Sequence, residues 1–389
     1  MFDSSMNFAK IRVVGVGGAG NNAINRMIES GIQSADFYAI NTDKQPLILS
    51  KAENIIQIGQ DATQGLGAGS DPELGERAAE ENRKELEEMC EGVNLLFIAA
   101  GMGGGTGTGA APVIAKIAKE KGCLTVAVVT KPFAFEGRKR QENAAIGISN
   151  LKKYVDTLII IPNDKLIQTL SADTPMLDAL KVADDNLRQG ICGIADLIAT
   201  PALINLDFAD VKTIIQNQGL AHMGRGRAKG ENRIIEAVRQ AVSSPLLETT
   251  IEGAHGVIIN VTGGRDLTIG QVNEAARLVQ SVVDESANII FGANIDFDLS
   301  EEIDITVIAT GFEGEQRKEE EEDAKANPMQ AFEILMKKNK TEPAEPEQPQ
   351  PEPEVYAQPE EEEVDFEQTN KQRDNKELPS FVKKLFGKK

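Results

Sequence analysis

The sequence predicts an α/β protein with a mostly parallel sheet covered on both faces, a long central helix, a second and smaller α/β domain, and a disordered C-terminal tail. Three observations carry this. From Lys10 onward, strand-like apolar runs alternate with amphipathic stretches, the pattern of a βαβ unit. The runs are continuous rather than alternating, which marks strands buried on both faces. Finally, the composition changes abruptly: eight of the 16 prolines but only one of the 35 glycines lie beyond residue 314.

In order, residues 11–16 predict a strand, a glycine turn follows, 23–28 is amphipathic, and 37–40 is a second strand. Further buried strands are expected at 95–100, 124–130 and 157–161, each bounded by Gly, Asn, Asp or Pro. Asp173 or Thr174 before Pro175 is a helix start, with a capping side chain and then a proline whose missing donor does no harm. That helix is predicted to reach about Ala199 and to stop at Pro201. Leu177, Leu180, Leu187, Ile191, Ile194 and Ile198 step by three, four or seven, so one stripe is expected to face a core along the whole helix. After a further helix, strand-like runs at 256–262 and 305–310 flank a helical stretch at 269–286, forming the second domain, which ends near Phe312. The predicted division is therefore 1–174, the helix 175–199, a loop and helix at 200–219, a C-terminal α/β domain at 220–313, a linker at 314–370 and a terminal peptide at 371–389.

Composition excludes several functions. A net charge of −20 argues against nucleic acid as a partner, because phosphate backbones are held by clustered Lys and Arg. Cys90, Cys123 and Cys192 are far apart and accompany only two histidines, so neither a zinc site nor a disulfide framework is expected, and no metal ligands are assigned. A reducing cytoplasm is the expected compartment. No apolar run approaches a membrane span, and the amino terminus lacks a basic-then-apolar leader, so neither export nor direct membrane insertion is expected. Between Thr341 and Asn370 there is no Lys or Arg among the Glu, Pro and Gln, a composition that cannot bury enough apolar surface to fold. The sign then reverses: residues 371–389 carry seven Lys or Arg against two acids. Leu378, Phe381, Val382, Leu385 and Phe386 recur there at helical spacing, as in a short peptide that orders on a partner's groove.

Two glycine loops carry the chemistry. Gly15-Val16-Gly17-Gly18-Ala19-Gly20 fits GxGxxG between a strand and a helix, where backbone N–H groups and a helix N-terminus bind phosphate. The same pattern is a dinucleotide fingerprint, and Asn41-Thr42-Asp43 lies about where an acidic ribose contact would follow, so this motif alone leaves nicotinamide cofactors open. The second loop, Gly101-Met102-Gly103-Gly104-Gly105-Thr106-Gly107-Thr108-Gly109, has six glycines in nine positions and opens a helix expected over 110–119. Successive backbone N–H groups can approach an anion there. No lysine precedes its threonines, so it is not a Walker P-loop. Two such loops suit a long phosphate chain better than a pyrophosphate.

Two further positions have competing readings. Asp184 interrupts the apolar stripe between Leu180 and Leu187: either the stripe meets solvent at that turn, or the carboxylate accepts the adjacent N1–H and N2–H of guanine, which adenine lacks. Asp207 and Asp210 have the spacing of a helix cap and an acidic first turn, and from bare sequence that structural reading is the stronger.

The run Gly103-Gly104-Gly105-Thr106-Gly107-Thr108-Gly109 resembles the signature of the tubulin/FtsZ family of GTPases. Flanking Ala99-Ala100-Gly101-Met102 and Ala110-Ala111-Pro112-Val113 favour its bacterial cell-division branch. Gly67-Ala68-Gly69, the run from Thr130 through Gly137, Pro162-Asn163-Asp164-Lys165-Leu166 and Asn205-Leu206-Asp207-Phe208-Ala209-Asp210 agree, and the match runs from about residue 10 to 313. The resemblance implies a Rossmann-like GTPase domain and a cytoplasmic protein that assembles head to tail with itself at the division site beneath the membrane. It implies that Gly18, Ala19, Gly20, Asn21, Asn22, Gly105, Thr106 and Gly107 hold the GTP or GDP phosphates. Glu136 and Arg140 would contact the sugar and phosphate region, and Asp184 the base, with Leu180 standing where relatives often carry a Phe that packs on guanine. Asp207 and Asp210, with polar help from Asn205, would position water at the nucleotide of the next subunit, and Mg2+ would bridge the phosphates. Residues 378–386 would dock on membrane-anchoring and regulatory division proteins.

Overall fold

Every residue of β1 (Ile11–Val16) is buried, and alternate side chains serve opposite layers: Ile11 and Val13 join one apolar cluster, Val14 and Val16 the other. The same division separates Leu95, Phe97 and Ala99 from Leu96, Ile98 and Ala100. A strand with two covered faces needs apolar residues at both parities, which is why these runs are continuous. The computed structural model describes residues 9–312 apart from 33–34, 168–169, 172, 200–206, 245–250, 285, 298 and 300. Pro201, Asn205, the linker expected at 314–370 and the docking peptide expected at 371–389 lie outside the described residues.

After β1 come α1 (Gly17–Glu29), β2 (Asp36–Asn41), α2 (Lys44–Ile48), β3 (Asn54–Gln57), α3 (Gln60–Thr63), α4 (Pro72–Glu81), α5 (Arg83–Cys90) and β4 (Leu95–Gly101). Next are α6 (Thr106–Glu120), β5 (Leu124–Lys131), α7 (Arg138–Lys152), β6 (Thr157–Pro162), α8 (Asn163–Ile167) and α9 (Met176–Ala199). The remainder is α10 (Phe208–Ile215), β7 (Gly219–Lys229), α11 (Arg233–Val242), β8 (Gly256–Gly263), α12 (Ile269–Gln280), β9 (Asn288–Ile295) and β10 (Glu302–Thr310). The strands form one sheet in the order β3-β2-β1-β4-β5-β6-β7-β10-β8-β9. Pairing is parallel from β3 to β6. β7 starts parallel to β6, then runs antiparallel to β10, which is antiparallel to β8. A separate cluster, including Val257, Ile259, Val261, Ile303, Ile305 and Val307, packs this second part of the sheet with α11 and α12 residues such as Ala237 and Val279.

Three expectations need correction, and one strand was not foreseen. The α9 stripe is not buried along its length: Leu187, Ile191 and Ile194 are, but Leu177 is 66% and Leu180 42% exposed, because the helix overhangs the core at its N-terminal end. α6 begins at Thr106, inside the glycine loop, instead of at 110. The stretch expected to be helical over 269–286 ends at Gln280, while its start carries a Thr268–Gln271 capping box. β7 has no counterpart in the sequence reading. A Cβ on Gly224 would stand 1.9 Å from the Ala241 carbonyl oxygen, and one on Gly226 1.8 Å from that of Ala237. α11 lies directly on the strand, so glycine replaces the β-branched residues that would have announced it.

Candidate functional site

The C-terminal ends of β1, β4, β5 and β6 open into a cleft of about 460 Å3 closed on one side by α9. Its wall includes Gly18, Ala19, Asn22, Gly105, Thr106, Gly107, Glu136, Arg140 and Asp184, nine positions singled out in the sequence. Gly20 and Asn21 are not part of that wall. Gly20 is pressed against the Ala99 carbonyl, where a Cβ would come within 2.3 Å. The Asn21 amide donates to the Gly15 carbonyl at 3.2 Å and accepts from Asn41 Nδ2 at 2.9 Å, so its side chain braces the first loop from behind.

The glycines separate by cause. Gly105 and Gly109 are required by packing, since a Cβ on the first would meet Ala68 at 2.7 Å and on the second the Pro72 carbonyl oxygen at 2.0 Å. A Cβ on Gly18 or Gly104 would meet nothing within 4 Å. Those two leave space over the cleft, with backbone accessible to a ligand and the N-termini of α1 and α6 beside it. Gly17 holds φ +72, a left-handed turn that aims the start of α1 at this space.

At the other end, Asp184 is bonded by Arg26, Nε to Oδ2 at 3.2 Å. Burial pushes the Asp184 carboxyl up, against the pull of the Arg26 guanidinium. Asn163, at the start of α8, is buried, its Oδ1 has no partner among the described residues, and it lines the same cleft. Leu180 and Phe133 line it as well. Glu136 Oε1 accepts from the Phe133 backbone N–H at 2.9 Å and its other oxygen pairs with Arg140, an exposed ion pair that fixes the turn before α7. Arg26 and Asn163 were not assigned to the site from sequence, although Asn22 and Arg26 stand four apart on α1 and so share a face.

Asn41 and Thr42, where a dinucleotide site would contact ribose, are buried and bonded to Asn21 and Thr106, and Asp43 caps α2 by accepting from the Gln45 N–H at 2.9 Å. That segment presents no carboxylate to the cleft. Asp207 and Asp210 are not cleft residues either. Asp207 caps α10 by accepting from the Ala209 N–H at 3.3 Å, and Asp210 is exposed in its first turn. From Asp184 to Ala199 α9 runs about 22 Å, at 1.5 Å per residue, away from the cleft before the chain reaches them.

Residues 10–171 match the tubulin/FtsZ family GTPase domain, and residues 219–313 match the FtsZ family C-terminal domain. The fold is similar to that of an empty FtsZ dimer from M. jannaschii, with 46% identity, 80% of this chain and 90% of that chain covered, and a TM-score of 0.77. The chain belongs to the tubulin/FtsZ family. A point mutant of the M. jannaschii protein gives 47% identity over 79% of this chain and 92% of that one, TM-score 0.76. A GTPgS-bound protofilament of CetZ2 from Haloferax volcanii gives 25% identity, 78% and 93% coverage, and TM-score 0.66. The chain is thus a GTPase of a filament-forming, cytoskeletal family, and the cleft lies at the C-terminal strand ends of the matched GTPase domain. Among the described residues, no helix is long and apolar enough to cross a membrane.

Proposed function

We propose that the cleft holds GTP with its phosphates over Gly18 and Gly104 and its base at Asp184, and that hydrolysis is completed by Asp207 and Asp210 of the next copy in a head-to-tail filament. The observation that carries this is the polarity of the cleft. One end offers unobstructed glycine backbone and two helix N-termini; the other offers the Asp184 carboxylate, an acceptor suited to a base edge rich in N–H donors, and the cleft wall also holds the Asn163 amide oxygen, which has no partner among the described residues. The family match and the GTPgS-bound CetZ2 protofilament support the nucleotide.

The division of labour is supported by separation. The cleft carboxylates Glu136 and Asp184 are each ion-paired, whereas Asp207 and Asp210 lie outside the cleft on α10, whose last residue, Ile215, accepts from Thr157 at the start of β6, the strand end opposite the cleft. Carboxylates supplied by a neighbour would orient the water that attacks the terminal phosphorus as the bond to the GDP oxygen breaks. Asn205 belongs to the same proposal. A recess of about 240 Å3 shares Phe133 and Leu180 with the cleft, and exposed Phe135 and Met176 line it, an apolar surface a second copy would cover. No group of three or more His, Cys, Asp or Glu among the described residues is arranged to hold a metal ion. Mg2+ would ride on the phosphates, supplying positive charge as they develop negative charge.

The division into GTPase domain, central helix, C-terminal domain, acidic tether and terminal peptide is part of the same reading. In it, residues 378–386 recruit filaments, through membrane-anchoring division proteins, to a cytoplasmic ring beneath the membrane at the division site. Phosphate release measured against protein concentration, with GTP and Mg2+, tests the shared site. A sharp rise above an assembly threshold is expected; strict proportionality from the lowest concentrations would mean that each monomer has a complete site. Deleting residues 371–389 is expected to spare assembly in solution and to abolish recruitment to vesicles carrying an anchor protein, and equal recruitment of the truncated chain would exclude the tail as the docking peptide.

A further inference from the structure

Thr42 lies in the turn after β2, fully buried, and its hydroxyl oxygen is 2.7 Å from that of Thr106, the first residue of α6. Sixty-four residues separate the two in sequence. Thr106 lines the cleft and Thr42 does not. The turn is itself held fast: the Asn41 side chain bonds Asn21 at 2.9 Å, the Asp43 N–H donates to Asn41 Oδ1 at 3.2 Å, and the Asn41 carbonyl accepts from the Ile58 N–H at 3.0 Å. Thr42 therefore reaches Thr106 from a rigid base.

The two hydroxyls have two protons between them, and burial decides their direction. Among the described residues, Thr106 Oγ1 is the hydrogen-bond partner of Thr42 Oγ1. If Thr106 donated, the Thr42 proton would be left buried without an acceptor among the described residues, the costlier deficit for a buried polar group. If Thr42 donates, only spare lone-pair capacity is left on a buried oxygen, which is the cheaper deficit. The Thr106 proton is then free to point into the cleft.

We propose that Thr42 is a positioning residue that sets Thr106 as a hydrogen-bond donor to a nucleotide phosphate oxygen at the α6 N-terminus. The proposal rests on the reading of the cleft as a GTP site. Without Thr42, the Thr106 hydroxyl can rotate, and its oxygen, lacking a fixed donor, competes for the neighbouring backbone N–H groups that should face the phosphate.

The test is calorimetric binding of GTPγS and GDP to the full chain and to Thr42→Val, Thr42→Ser, Thr106→Ala and the Thr42→Val/Thr106→Ala double variant, with thermal melts of each. Thr42→Val keeps the volume and removes the hydroxyl; it is expected to weaken binding of at least one of the two nucleotides by about 2- to 12-fold, the range of one net hydrogen bond. Thr42→Ser is expected to remain within about 2-fold of the wild type because it restores the donor. In the Thr106→Ala background the Thr42→Val change is expected to have no further effect, since coupled residues do not add. Should Thr42→Val fail to melt cooperatively, Thr42→Cys, with its weak S–H donor, is expected to show the same loss. Wild-type affinity in the folded valine variant, an undiminished effect in the Thr106→Ala background, or no rescue by serine would overturn the proposal. If the unaltered chain binds no guanine nucleotide, the GTP reading itself falls, an outcome visible before any variant is compared.

Discussion

The two ends of α9 are built differently. Around its N-terminal half, Asp184 is enclosed and ion-paired, and facing loops are braced by Asn21, Asn41 and Thr42. Beyond its C-terminal end, Asp207 and Asp210 are exposed, with one carboxylate capping a helix. Preorganised, buried polar groups belong where a ligand must be selected by one chain alone. Exposed carboxylates, whose desolvation is deferred until a partner covers them, belong where chemistry is to wait for assembly. The contrast predicts that changes at one end alter affinity and changes at the other alter turnover.

The largest effect is expected for Asp210→Ala. Hydrolysis should fall by about 100-fold or more, the usual worth of a group that positions or activates water, while GTP affinity stays within about 2-fold because the residue is not part of its own chain's cleft. Asp210 is the cleaner choice than Asp207, whose loss also removes the α10 cap. Mixed with wild type, the variant should lower turnover per wild-type subunit; turnover that simply scales with the wild-type fraction would place the whole site within one chain.

Next comes Asp184→Ala. Losing a charged hydrogen-bond partner costs about 1.5–3 kcal/mol, or about 10- to 150-fold in GTP affinity, and competition with ATP should show narrowed discrimination. Unchanged discrimination would reduce Asp184 to a mere partner of Arg26.

The sequence disclosed these regions unequally, for physical reasons. β1, β4, β5 and β6 were legible because both their faces are apolar. β7 was not, because Gly224 and Gly226 make room for α11 while Arg225 and Arg227 pair with Asp304 and Glu302. In the cleft, the glycine density announced a phosphate site, but it could not say that Gly105 serves packing and Gly18 leaves open space. Asn21 looks like its neighbour Asn22 in sequence; only the fold turns one side chain toward Gly15 and leaves the other exposed on the cleft wall. Arg26 and Thr42 act through contacts distant along the chain, which no local pattern encodes.

A smaller gain is expected from Leu180→Phe. Leu180 is 42% exposed on the cleft wall, so the larger ring has room, and stacking on a base adds about 0.5–1.5 kcal/mol beyond buried area, or about 2- to 12-fold in affinity. Fluorescent guanine nucleotide titration would show it; an unchanged constant would mean that the base does not lie against this side chain.

The smallest effect is also the most specific, because it has two opposite signs. Burial holds the Asp184 carboxyl above its ordinary value despite Arg26, so in the folded chain it takes up a proton at a pH where an unfolded Asp is still ionised. Between the two values the folded state binds more protons, and by linkage this group's contribution to stability rises as pH falls. GTP affinity should move the other way, since a protonated carboxyl loses acceptor capacity and presents a donor to guanine's donors. As pH falls from about 7 toward the ordinary Asp value near 3.9, GTP affinity is expected to drop while the thermal midpoint of the nucleotide-free chain holds or falls little. In Asp184→Asn, which cannot titrate, the drop in affinity should vanish. General acid destabilisation would instead lower midpoint and affinity together in both proteins, and that result would remove Asp184 as the cause.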